Sequence, residues 1–141
     1  GLRHAQKYAT RIGGCDNHRS GLYDGVLIKE NHIAAAGSIS KAVSEARAAN
    51  PDMMIEIEVE NDEQIQQALG AGAERLLLDN FTPGALARAV QAVAGRAELE
   101  ASGGITLENL RQTALTGVNY ISIGTLTKNI HAIDLSMIFD L

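Results

Sequence analysis

The sequence has little to staple it and little to anchor it. It contains no Trp, one Cys (Cys15), two Pro and only 4% aromatic residues. A single thiol excludes an internal disulfide framework and a cysteine-based zinc site, and it fits a reducing, cytoplasmic setting. No apolar run approaches the roughly 18 residues that suggest a membrane span, and no signal peptide is legible. Basic residues are outnumbered: 12 Lys and Arg against 17 Asp and Glu leave a net charge of −5. That balance argues against a broad nucleic-acid surface. What is present is a 45% apolar composition with 14 Gly and abundant Ala, suited to parallel strands under small-residue helices rather than to a β-sandwich or a disordered tail.

At 141 residues the chain is one domain, short for a complete (β/α)₈ barrel of about 200 residues or more. It opens at Gly1-Leu2-Arg3 with no Met, already inside an apolar-periodic stretch, and so reads as a piece of a longer protein. Helical stripes at i, i+3, i+4, i+7 spacing appear at Leu2/Ala5/Ala9/Ile12, Ile39/Ala42/Val43/Ala46, Ile65/Ala68/Leu69, Leu86/Ala89/Val90/Val93 and Leu107/Leu110/Ala114. Ser38, Asn61, Thr82 and Thr106 are candidate N-caps, Pro83 occupies a first helical position, and Gly13, Gly95 and Gly117 mark helix ends. Strand candidates lie at 25–29, 54–60, 75–79, 97–102 and 119–124. Alternation of strand and helix predicts an α/β fold with a parallel sheet. Five such steps are too few to close eight strands, so the expected architecture is a partial or open (β/α) barrel, TIM-barrel-like.

Strands covered by helices should be apolar throughout, and these are not. Ile55-Glu56-Ile57-Glu58-Val59-Glu60 alternates strictly, so one face is aliphatic and the other carries three carboxylates. If the aliphatic face meets the helices, the glutamates point into the barrel, where cations or a metal must answer them. A strand with one solvated face is the competing reading. Other strands end in polar groups too: Lys29, Asp79, Ser102-Gly103-Gly104 and Gly124-Thr125. Lys29, Glu58, Asp79, Ser102 and Gly124 follow one another at intervals of 29, 21, 23 and 22 residues, one per βα step. Polar groups recurring at strand C-termini form a barrel mouth, where barrel enzymes keep their chemistry.

Two successive Gly-containing loops late in a barrel suit phosphate, which bare backbone N–H groups and a helix start can hold. Tight turning alone would also account for those glycines. Cations come from the first third of the chain, in Asn17-His18-Arg19 and Lys29-Glu30-Asn31-His32. Arg offers a planar fork to a carboxylate and Lys a compact charge. Taken alone, His18 and His32 read as structural hydrogen-bonders.

Together these segments resemble the quinolinate phosphoribosyltransferases. The resemblance rests on Gly1-Leu2-Arg3, Lys7-Tyr8-Ala9, Gly13-Gly14, Asn17-His18-Arg19, Leu27-Ile28-Lys29-Glu30-Asn31-His32-Ile33, Glu58-Val59-Glu60 and Leu78-Asp79-Asn80. It continues through Ser102-Gly103-Gly104-Ile105, Gly117-Val118 through Gly124, and Ala132-Ile133-Asp134-Leu135-Ser136. It implies that residues 1–141 are a C-terminal α/β-barrel catalytic domain whose N-terminal domain and first barrel segment lie upstream. It also implies conversion of quinolinate and phosphoribosyl pyrophosphate to nicotinate mononucleotide, pyrophosphate and CO2, with Mg2+, in NAD biosynthesis. Quinolinate would face His18, Arg19 and Lys29. Glu58 and Asp79 would hold the ribose and the metal-bound phosphosugar, making them candidate metal ligands and, with Lys29, candidate catalytic residues. Ser102, Gly103 and Gly124 would take the 5′-phosphate. A homodimer or higher homo-oligomer of the full-length protein follows from the same resemblance, because the family's site is shared between subunits. Cys15-Asp16 and Asn119 depart from its pattern. A non-catalytic phosphate- or nucleotide-binding module, or a related transferase for another aromatic acid, are the competing readings.

Overall fold

A computed structural model describes residues 2–140; Gly1, the first residue of the motif above, lies outside that range. The elements are α1 (Arg3–Ile12), β1 (Val26–Ile28), α2 (Glu30–Ala36), α3 (Ile39–Ala49), β2 (Ile55–Val59) and α4 (Asp62–Gly70). They continue with β3 (Arg75–Asp79), α5 (Pro83–Val93), β4 (Glu98–Ser102), α6 (Leu107–Ala114), β5 (Tyr120–Ile121) and α7 (Thr125–Lys128). The five strands form one sheet in the order β1-β2-β3-β4-β5, and every neighbouring pair is parallel. This is the open, TIM-barrel-like arc that the strand–helix alternation predicts.

The period of two divides every strand between faces. Ile55, Ile57, Val59, Leu76, Leu78, Leu99 and Ala101 turn outward into a core with Ile39, Val43, Ile65, Ala68, Leu86, Ala89 and Val93 of α3, α4 and α5. Each large aliphatic side chain so buried contributes roughly 1.5–3 kcal/mol. The register leaves Glu56, Glu58, Arg75, Leu77, Asp79, Glu98, Glu100 and Ser102 on the opposite, inner face. The competing picture of a strand with one solvated face fails at Glu56, which is 2% exposed.

Local signals placed the helices. Ser38 Oγ accepts from the Lys41 N–H at 3.2 Å, Asn61 Oδ1 from Gln64 N–H at 3.0 Å, and Thr82 Oγ1 from Ala85 N–H at 3.3 Å. At α6 the partners are reversed: the Thr106 N–H donates to Asn109 Oδ1 at 2.8 Å. Gly95 and Gly117 do turn at positive φ, whereas the turn after α1 falls on Gly14 rather than Gly13.

Three expectations need correction. The apolar stripe of α1 is not buried: Leu2 is 76% and Ile12 70% exposed, and no residue of the helix reaches the core. The helix precedes the sheet and packs on no strand's outer face. Its role is a tether, since Lys7 Nζ donates to the carbonyls of His18 and Arg19, both at 2.7 Å, and Asn17 Nδ2 donates to Lys7 O at 2.9 Å. Likewise α6 buries only Thr113, with Leu107 exposed. The third concerns two short helices, α2 and α7, where the apolar periodicity is too brief to register.

Candidate active site at the inner face of the sheet

Two groups of charged side chains occupy the inner face. The first sits at the strand C-termini. Lys29 follows β1 and its ammonium donates to Glu58 Oε2 on β2, with Glu58 only 12% exposed. Chiefly this hydrogen bond raises the Lys29 pKa above its ordinary value, against the cost of burial, with the carboxylates of Glu58, Glu30 and Asp79 adding to it. Asp79 ends β3, accepts from Asn80 Nδ2 at 2.6 Å and pairs in register with Ser102 of β4. Lys29, Glu58, Asp79 and Ser102 therefore come together as expected. His32 does not join them: its Nδ1 accepts the Lys29 N–H at 3.0 Å, the structural role expected of it.

The glycine loops next to this group differ in character. Gly103 has φ +93°, and a Cβ there would lie 2.2 Å from Asn80 Oδ1 and 2.9 Å from Asn80 N. Only glycine fits, so the Ser102-Gly103 backbone approaches the β3 terminus with no side chain in between. Gly124 precedes α7, and β5 keeps its loop beside that of β4 through the Ser122 N–H, which donates to Ala101 O at 2.9 Å.

The second group lies deeper and was largely missed from sequence. His18 Nε2 is 2.9 Å from Glu56 Oε2 and 3.9 Å from Glu100 Oε1. Ser122 Oγ donates to Glu100, and Arg75 NH1 stands 3.8 Å from the other Glu100 oxygen. Arg75 itself is claimed by Glu98, at 2.6 and 3.0 Å, and stacks over the Tyr120 ring at 4.1 Å. Burial, with the neighbouring Glu56 carboxylate, pushes the Glu100 carboxyl above its ordinary range, although its Ser122 hydrogen bond and His18 oppose this. A signal for this group did exist. Glu98-Leu99-Glu100 repeats the alternation of Glu56-Ile57-Glu58, and Arg75 is a charge within a strand that continues as three leucines.

Concave surface adjoins the deeper group. A groove of about 920 Å³ runs between α1 and β5 past Lys7, Asn17, His18, Glu100, Ser122 and Gly124. A smaller recess of about 250 Å³ holds Asn17, His18, Arg19, Glu56 and Arg75. His18 borders both, while Lys29, Glu58 and Asp79 line neither. Arg19, whose guanidinium also reaches Gly25 O at 3.4 Å, is thus gathered with His18 rather than with the Lys29 group.

An open arc of parallel βα units, with charges on its inner face and glycine loops at its strand ends, defines the class as an open, TIM-barrel-like α/β domain. The chain belongs to the family described as quinolinate phosphoribosyl transferase, C-terminal domain, whose model matches residues 1–138. It is 49% identical over 138 residues to the probable nicotinate-nucleotide pyrophosphorylase [carboxylating] of Bacillus subtilis, covering 97% of this chain and 48% of that protein. The rat enzyme of the same name is 41% identical over 141 residues, with 97% and 47% covered. In structure the chain is similar to the nicotinate-nucleotide pyrophosphorylase from Francisella tularensis, with TM-score 0.93, 47% identity and coverage of 96% and 48%. The chain therefore spans about half the length of the relatives it matches.

Proposed function

We propose that the protein containing this domain transfers phosphoribosyl from phosphoribosyl pyrophosphate to quinolinate and releases CO2, giving nicotinate mononucleotide and pyrophosphate in NAD biosynthesis. The observation that carries this reading is the family match along essentially the whole chain, combined with Lys29, Glu58 and Asp79 gathered at one end of the sheet. The pyridine nitrogen attacks the anomeric carbon as the bond to pyrophosphate breaks, and pyrophosphate leaves with the electron pair. Positive charge then builds on the ribose, which the Glu58 and Asp79 carboxylates are placed to offset. His18, Arg19 and Lys29 bind the two quinolinate carboxylates, chiefly a positioning effect. Loss of CO2 leaves its electrons in the N-ribosylated ring, which a proton then quenches.

Ser102, Gly103 and Gly124 are assigned to the 5′-phosphate, supported by the bare backbone at Gly103. Glu58 and Asp79 are hard oxygen donors of the kind that suits Mg2+. Glu58 is already engaged by Lys29, so the ion would rest on the phosphosugar as well as on these residues. When bound, Mg2+ supplies charge neutralisation for the departing pyrophosphate. The lone Cys15 supports a cytoplasmic setting; no helix among the described residues is long and apolar enough to cross a membrane. A homodimer is the proposed assembly, and it agrees with the exposed apolar side chains of α1.

The test is an assay of the full-length protein with quinolinate, phosphoribosyl pyrophosphate and Mg2+, reading CO2 release and nicotinate mononucleotide together. Stoichiometric formation of both, abolished by a chelator, is the expected result. Preference for nicotinate over quinolinate would overturn the assignment, because a monocarboxylate leaves half the cationic pocket unused.

A further inference from the structure

Glu56 and Glu100 stand on the inner faces of β2 and β4, each 2% exposed and outside the apolar core. Burying two carboxylates this way is costly unless each has a counter-charge. Glu100 has Ser122 and the edge of Arg75, but Arg75 is mainly committed to Glu98 and Tyr120. Glu56 has His18 as its one hydrogen-bonded partner among the described residues, with the Arg75 charge acting on it only at longer range: Oε2 meets Nε2 at 2.9 Å, and Oε1 accepts no hydrogen bond. His18 is the half-open member, with its side chain 31% exposed toward the groove and recess it borders. Its backbone is held from the other side, because Lys7 of α1 takes its carbonyl.

The ring chemistry sets a constraint. With Nε2–H given to Glu56, only Nδ1 is left for a ligand. A neutral imidazole with that tautomer presents a lone pair at Nδ1 and repels a carboxylate; only the imidazolium donates from both nitrogens. We propose that Glu56 is a positioning residue for the substrate pocket, taking His18 Nε2–H so that Nδ1–H is left to receive one carboxylate of a pyridine dicarboxylate. This rests on the functional reading above and names what makes the pocket select a dianion. Glu56 is the group that keeps His18 charged, and Glu100 reinforces it from 3.9 Å.

The groups facing His18 agree with this. Its pKa lies above the ordinary 6.5 chiefly through the Glu56 hydrogen bond, and the Glu56 and Glu100 charges add to it; burial and the neighbouring Arg19 oppose. Arg75 approaches from β3 and the Lys7 ammonium from α1, but the former is neutralised by Glu98 and the latter is spent on two carbonyls. Anion binding therefore weakens as pH rises through the raised His18 value, later than an ordinary histidine would allow. Removing the Glu56 charge moves that loss to lower pH.

The experiment compares the full-length protein with its Glu56→Gln variant, in which an oxygen can still accept from Nε2 but the charge is gone. At about neutral pH the KM for quinolinate rises about tenfold, the scale of losing one charge-assisted contact. Meanwhile kcat changes by less than about threefold, and lowering the pH restores the KM. An unchanged KM with an unchanged pH onset, in a parent enzyme that does turn over, overturns the positioning role. A parent that releases no CO2 from quinolinate instead overturns the functional reading. Should Glu56→Gln fail to fold, the His18 ring is titrated by NMR in the parent, assigned by loss of its signal in His18→Asn. A midpoint at or below 6.5 overturns the proposal, and one above supports it. His18, Glu56 and Glu100 also offer three donor atoms within 4.8 Å of one another. A stoichiometric divalent ion found by elemental analysis of the parent, and lost in Glu56→Gln, overturns the proposal in favour of a metal site.

Discussion

The two faces of β2 differ sharply, although they alternate residue by residue. Ile55, Ile57 and Val59 are fully buried against α3 and α4, while Glu56 and Glu58 between them answer His18 and Lys29. One face holds the sheet to its helices and the other holds charge in a chosen geometry. Stability and chemistry are thus separated by a single peptide unit. Substitutions on neighbouring residues should separate into two kinds of defect, one seen in denaturation and the other in kinetics.

The largest effect belongs to the outer face. Ile57→Ala leaves a cavity at a side chain with 0% exposure, and such truncations cost about 2–5 kcal/mol. Urea denaturation of the full-length protein should show that loss in its midpoint, while the folded fraction keeps the parental KM for both substrates. A normal midpoint, or a KM shift in a protein that remains folded, would break the division of the faces.

Next is the inner face one residue along. Removal of a charge contact to the transition state, as in Glu58→Ala or Lys29→Ala, should lower turnover at least about tenfold, or roughly 1.4 kcal/mol. Stability to unfolding should change by less than about 1 kcal/mol, because Glu58 is 12% exposed but Lys29 is 45% exposed, and a pair with its cationic end in water contributes little to folding. Near-normal kinetics in both variants would remove these residues from the chemistry.

How much of this was legible depends on whether a residue's partner is local. Period-two alternation, N-caps and strand-terminal polar residues are properties of neighbours in sequence, so the arc of β1 to β5 and the Lys29, Glu58, Asp79 and Ser102 group could be read directly. The deeper group was legible only as separate charges on strands, because which of them meet is decided by a loop residue and by side-chain reach rather than by a polar residue recurring at each strand end. His18 precedes β1, while Glu56, Arg75 and Glu100 belong to three different strands. An exposed amphipathic helix misled for the opposite reason. The stripe of α1 has the period of a buried face, but periodicity reports that a helix has an apolar side and not what covers it.

The smallest effect tests where the boundary between the two kinds of residue falls. Asn61 lies three residues beyond Glu58, close in sequence to the proposed chemistry, yet its side chain only receives the Gln64 N–H at 3.0 Å. Its backbone is extended, with φ −155° and ψ 168°, as an N-cap requires. Asn61→Ala strands one amide of the first turn of α4 and should cost about 1 kcal/mol. Asn61→Ser, which restores an oxygen at the cap, should recover most of it. Both variants should keep the parental KM for quinolinate and for phosphoribosyl pyrophosphate, because the cap faces the helix and not the inner surface of the sheet. A selective change in either KM would mean that the site extends past the end of β2, and that proximity in sequence to Glu58 counts for more than the face on which a residue lies.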